Sequence, residues 1–144
     1  MTILIVLFGS LLIYRLVGAA GIQMFAAWID SARAALATMF LFTAVSHFAP
    51  MRKDLIAMVP RSFPRPDVLV FVTGFAELAG AAGLVYPPTR FWGACGLIAL
   101  LVAMFPANVS AARRGVQLRG RAATPLWLRT PMQILFIAWA WAVR

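Results

Sequence analysis

A single cysteine, Cys95, is present among 144 residues. That excludes an internal disulfide, a CxxC redox pair and a thiolate metal cluster. A single histidine, His47, excludes a multi-histidine haem or metal site. Acidic residues are scarce too, with 4 Asp+Glu against 13 Lys+Arg and a net charge of +9. In a soluble chain that balance would suggest nucleic acid. Here the basic residues sit in short loops between apolar runs, which excludes nucleic acid as the partner and points to topology and lipid headgroups. No internal repeat and no low-complexity tail is visible. No nucleophile–base pair or metal constellation is visible either, so the reading leans away from an enzyme and no metal is expected.

What is abundant is hydrocarbon. The hydrophobic fraction is 63% and the mean hydropathy +0.90, where soluble domains carry about 45–50% apolar residues. The excess marks membrane-facing surface. The chain reads as one membrane domain, residues 1–144, all-α, with spans over 2–18, 32–48, 68–86, 91–105 and 128–143. Spans two to five make a four-helix core, and the first is an additional amino-terminal transmembrane helix. No Lys or Arg precedes the first run, which fits a retained span better than a cleaved signal peptide, the alternative. Residues 49–66 form an interfacial segment rich in proline and basic residues, with a short helix over Arg52–Met58 closed by Pro60. The third span stops at Pro87-Pro88, and the fourth at Pro106-Ala107-Asn108.

Counting Lys and Arg by side gives nine on the side of the amino terminus and four on the other. The positive-inside rule then places the amino terminus in the cytoplasm of a multi-pass protein of the cell inner membrane. Arg113, Arg114, Arg119 and Arg121 are the candidate lipid-headgroup contacts.

Glu77 lies near the middle of the third span. Carboxylates at hydrocarbon depth are costly and usually have a specific job. Taking the helix ends as level, Glu77 is about 15 Å deep and Arg33 about 21 Å above His47, so the two differ axially by only about 6 Å. Arg33 and Glu77 are therefore the candidate intramembrane polar seam, either as a packing device or as a proton- or ligand-responsive site. On the same reckoning His47 is not a direct partner of Glu77. His47, Asn108, Arg129 and Gln133 form a candidate polar layer at the cytoplasmic face. His47 is either an interfacial histidine bonded to backbone or a proton-relay or quinone-headgroup contact. Ala76/Gly80 and Ala79/Gly83, small residues four apart, mark a face for close helix packing.

Five stretches carry a resemblance: TAVSHFAP (43–50), MVPRSFPRP (58–66), VTGFAELAGAAGL (72–84), FPANV (105–109) and LWLRTPMQ (126–133). In this order they resemble the DoxX-like family of small bacterial membrane proteins. The resemblance implies a four-helix membrane core and marks His47, Glu77, Asn108, Arg129 and Gln133 as motif positions. Some members of that family are subunits of a thiosulfate:quinone oxidoreductase, and others associate with oxidative-stress enzymes. The expectation is an accessory or structural subunit of a membrane-associated redox system, with no assignable reaction. The alternatives are a quinone-linked oxidoreductase subunit and a small proton-coupled transporter. No cofactor is expected, quinone being the one compatible with the pattern. Partners are the lipid bilayer and other membrane or redox proteins, and a homo-oligomer is compatible with the sequence.

Overall fold

In a hydrocarbon environment each backbone N–H and C=O must find its partner within the segment, so apolar runs of this length fold as helices. A computed structural model describes residues 2–118 and 120–144, with the backbone alone for Arg121. Its helices are α1 (Thr2–Ala19), α2 (Trp28–Phe48), α3 (Arg52–Met58), α4 (Pro66–Val85), α5 (Arg90–Arg114) and α6 (Leu126–Ala142). Single 3-10 turns, Gln23–Phe25 and Pro87–Thr89, join α1 to α2 and α4 to α5. A two-residue antiparallel ladder, β1 (Gln117–Leu118) with β2 (Arg121–Ala122), lies between α5 and α6. The architecture is an all-α bundle.

The helices α1, α2 and α4, and the segment Pro87–Arg114, are each long and apolar enough to cross a membrane. α6, with 17 residues, reaches about 25 Å. Large apolar side chains face outward along the bundle, among them Ile5, Leu12, Phe75, Trp92 and Ile134. A water-soluble surface rarely exposes so much contiguous hydrocarbon. The chain is a membrane protein.

α2 packs along α4, α4 along α5, and α5 along α6, while α1 lies against α2. The common core includes Leu36, Met39 and Phe40 of α2, Leu84 of α4, Leu97 of α5 and Phe136 of α6. Small residues set the close α4–α5 approach. A Cβ built on Gly93 would lie 2.6 Å from the backbone carbon of Gly83. At the turn between these helices, Thr89 Oγ1 donates toward the Gly83 and Tyr86 carbonyls, both at 3.1 Å. This covers acceptors that a helix end leaves free.

Three features depart from the sequence reading. α2 begins at Trp28, a turn before residue 32, which brings Asp30 into its first turn, where a carboxylate suits the helix dipole. α5 does not stop at Pro106 but runs on to Arg114 and is closed by Gly115 at φ 63°. Pro106 costs one N–H donor and leaves the Val102 carbonyl without its helical partner. In the same turn Gln133 Nε2 of α6 donates to the adjacent Leu101 carbonyl at 2.9 Å, which ties the proline-interrupted turn to α6 without replacing the bond lost at Val102.

The third departure is Arg114, which is not a free headgroup contact. Its Nη2 donates to the carbonyls of Ala57, Met58 and Val59 at 2.7, 3.0 and 2.9 Å, and its Nε to Ser110 Oγ at 2.9 Å. One guanidinium thus caps the end of α3 and pins it to α5. Arg114→Gln should raise trypsin cleavage of residues 52–65 in detergent roughly tenfold, as expected for losing a charged cap worth about 1–2 kcal/mol at an exposed site. An unchanged rate would show that α3 is held by its apolar side alone. Arg113 is exposed. Arg119 and the Arg121 side chain lie outside the described residues.

Candidate functional site

The last two turns of α2 place Thr43 and His47 on one face, four residues apart. They meet α4 where Gly74 has no side chain. A Cβ there would lie 2.6 Å from His47 Cβ and 3.0 Å from the Phe48 ring. This contact shows that the end of α2 is level with Gly74, about 12 Å along α4 rather than at its start. The helix ends are staggered, and Glu77 is one turn beyond the contact.

The stagger corrects the expected pairing. His47 Nε2 lies 3.6 Å from Glu77 Oε1, both side chains being buried. Arg33 is at the opposite end of the bundle, where its Nη1 binds Asp30 Oδ1 at 2.5 Å and its Nε donates to the Val143 carbonyl at 2.9 Å. The Arg33–Glu77 seam does not form. Arg33 instead ties the start of α2 to the end of α6.

The hydrogen bonds fix where one histidine proton sits. His47 Nδ1 is 2.7 Å from the Val70 carbonyl, which can only accept, so Nδ1 carries hydrogen. Thr73 Oγ1 lies 3.3 Å from the same nitrogen and donates to the Leu69 carbonyl at 2.9 Å. Nε2 is then the nitrogen facing Glu77. With a neutral imidazole and an ionised carboxylate, two lone pairs face each other at 3.6 Å, longer than a hydrogen bond, and one further proton on either atom makes the contact attractive. Thr43 Oγ1 is 2.8 Å from Glu77 Oε2 and 3.0 Å from the Phe40 carbonyl. Its single hydrogen can go to the carboxylate or to the carbonyl, so the hydroxyl suits Glu77 in either protonation state.

Two cavities flank this pair. The outer one, about 260 Å³, is lined by Leu55, Met58 and Phe63 from the α3 region, Leu69 and Val70 from α4, and Ala103 and Pro106 from α5. His47, Thr73, Asn108 and Arg129 are its polar lining. The inner one, about 50 Å³, is lined by Thr43, Glu77, Asn108, Arg129 and Gln133 among apolar neighbours. Met104, Asn108 and Arg129 border both. The inner space is polar, and its volume is well above the roughly 10–15 Å³ that one water needs.

Asn108 is 8% exposed, and its side chain has no hydrogen-bond partner among the described residues. Arg129 has no hydrogen-bond partner there either, although it lies in the field of Glu77. Among the described residues no three His, Cys, Asp or Glu side chains converge as a metal group would require. The groups that could hold a cofactor are Arg129, Asn108 and His47, around an apolar space.

The structure thus brings together His47, Asn108 and Arg129 at the outer cavity, and Glu77, Asn108, Arg129 and Gln133 at the inner one. Thr43 and Thr73 complete the site and were not singled out from the sequence. Thr43 had a signal, since it precedes His47 by one helical turn. Thr73 had none, because its role depends on how α2 and α4 are staggered.

No curated protein and no solved structure matches the chain. A family model described as a domain of unknown function, DUF8561, matches residues 36–144. The matched region takes in Thr43, His47, Glu77, Asn108 and Arg129 and leaves out α1 and Arg33. Because the match covers well over half of the sequence, the chain belongs to the DUF8561 family.

Proposed function

We propose that this protein is an accessory component of a redox system in the bacterial inner membrane, related to the DoxX-like proteins, and that its outer cavity receives the head of a lipophilic ligand of the quinone class. On this reading the α3 end of the bundle faces the cytoplasm, which agrees with the nine Lys and Arg on that side against four on the other. No reaction is assigned to the chain.

One observation carries the reading: a buried Asn108 amide and the Arg129 guanidinium, neither hydrogen-bonded to the described residues, border an apolar cavity of about 260 Å³. A ligand carbonyl would accept from the amide the hydrogen bond that no described residue takes, in exchange for cavity water. The volume is below the roughly 300 Å³ at which pockets for drug-sized molecules begin, so it suits one ring and the start of a tail. A quinone, when bound, supplies two-electron, two-proton chemistry. The chain's residues supply an apolar wall and the Arg129 and Asn108 donors.

A short-chain benzoquinone should bind saturably to the protein in phosphatidylcholine nanodiscs. Arg129→Gln and Asn108→Ala should each weaken binding about tenfold or more, the loss expected for a hydrogen bond that leaves a buried partner unpaired. Equal affinity in both variants would contradict the proposal. The accessory role is tested separately by isolation from native membranes. Recovery of the chain alone, with substrate turnover of its own, would remove that part.

A further inference from the structure

The His47–Glu77 pair and Arg129 share one buried site, and their charges do not add up independently. With one proton between Nε2 and Oε1 the pair is neutral overall, as imidazolium–carboxylate or as imidazole–carboxylic acid. Without it the pair carries one negative charge. Arg129 is positive throughout. The unprotonated pair therefore compensates Arg129 internally, and the protonated pair leaves the guanidinium charge free for something else. Arg129 borders both the inner cavity, which Glu77 lines, and the outer one, which has room for a ligand.

The groups that face Glu77 are few. α2 presents His47 and Thr43, α5 presents Asn108, and α6 presents Arg129 and Gln133. α1 presents only Ile3. The charged residues of α3 do not line the inner cavity, and Arg52 is directed to the Asp67 carbonyl at 3.4 Å. Facing His47, α4 adds only Thr73 and the Val70 carbonyl. Among the described residues, no charged side chain other than Arg129 and the pair itself lines either cavity.

We infer that the outer cavity binds an amphiphile with an anionic head, and that one proton enters the His47–Glu77 pair when it binds. This rests on the outer cavity being a ligand site, and it gives that site an anionic ligand class distinct from the neutral quinone, with a proton coupling. The proton comes from solvent and resides on Nε2 or on Oε1. No bond of the ligand is made or broken, and no electron moves. Thr43 turns its hydrogen from Glu77 toward the Phe40 carbonyl where the carboxyl takes the proton. By reciprocity, an anion that favours the protonated pair binds more weakly as pH rises.

The test uses decanesulfonate, whose head stays ionised over the working range, so that any proton counted belongs to the protein. Calorimetry in phosphatidylcholine nanodiscs, repeated in buffers of different ionisation enthalpy, gives the proton number, with empty nanodiscs as the blank. On the alkaline side of the pair's titration, where the ligand-free pair has lost the proton, about one proton should be taken up and affinity should fall roughly tenfold per pH unit. Decanol should show no such dependence, and Glu77→Gln should bind decanesulfonate without proton uptake. If that variant does not fold, the wild-type proton number decides alone. Binding of decanesulfonate with no proton uptake and no loss of affinity anywhere on that alkaline side would overturn the inference. Saturable binding of the short-chain benzoquinone but not of decanesulfonate would overturn it while leaving the quinone reading intact. Binding of neither would overturn both.

Discussion

Gly93→Ala should cost about 3 kcal/mol or prevent the bundle from assembling, although it adds only one methyl group. The new Cβ would lie 2.6 Å from the Gly83 carbonyl carbon and 2.8 Å from the Leu84 nitrogen. These are backbone atoms of α4, and they cannot rotate away. The two helices must separate, and the contacts around Leu84 and Leu97 loosen with them. Two other glycines serve as controls. At Gly80 the added Cβ meets only side-chain atoms of Leu97 rather than backbone, so Gly80→Ala should cost less than Gly93→Ala while still disturbing the core around Leu97. At Gly96 nothing lies within 4 Å, and the alanine should be neutral or slightly stabilising through helix propensity. Thermal denaturation of the three variants in one detergent gives the order. Equal losses at Gly93 and Gly96 would mean that α4 and α5 do not pack through Gly83 and Gly93.

The second large effect is expected at the buried pair. His47→Gln and Glu77→Gln should each destabilise the protein by about 1–3 kcal/mol, since each leaves the remaining member of a buried pair without its partner. The double variant should lose clearly less than the sum, with a coupling of about 1–2 kcal/mol, near the top of what interhelical polar contacts in membranes give. Arg33→Gln combined with Glu77→Gln should be additive, because Arg33 binds Asp30 and the Val143 carbonyl at the other end of the bundle. Coupling of Glu77 to Arg33 rather than to His47 would mean that the helix stagger is wrong.

That stagger is also what the sequence could not convey. The apolar runs disclose the membrane helices because hydrocarbon length sets a minimum run, and the prolines at 87 and 88 mark a turn because they interrupt the helical hydrogen bonds. The relative heights of α2 and α4 are a different matter. They depend on where residues 49–65 lead the chain and on the one place, Gly74, where His47 can approach the α4 backbone. Levelling the ends put Arg33 beside Glu77 and excluded His47. The continuation of α5 past Pro106 was hidden for a related reason, because Gln133 hydrogen-bonds within the proline-interrupted turn from a different helix. The polar side chains of the site could be picked out by their rarity in apolar surroundings. The cavity between them could not, being shaped by α3 and by the Arg114 cap, a contact between residues more than fifty positions apart.

Photolabelling tests the outer cavity as the ligand site most directly. A photoreactive short-chain benzoquinone would be irradiated with the protein in nanodiscs, and the labelled peptides mapped. Saturable labelling should fall on residues 55–63 and 103–108, be displaced by excess unlabelled quinone, and decrease in Arg129→Gln. Labelling spread over the lipid-facing side of α1 and α4, unaffected by competitor or by the Arg129 variant, would contradict a ligand site beside the His47–Glu77 pair.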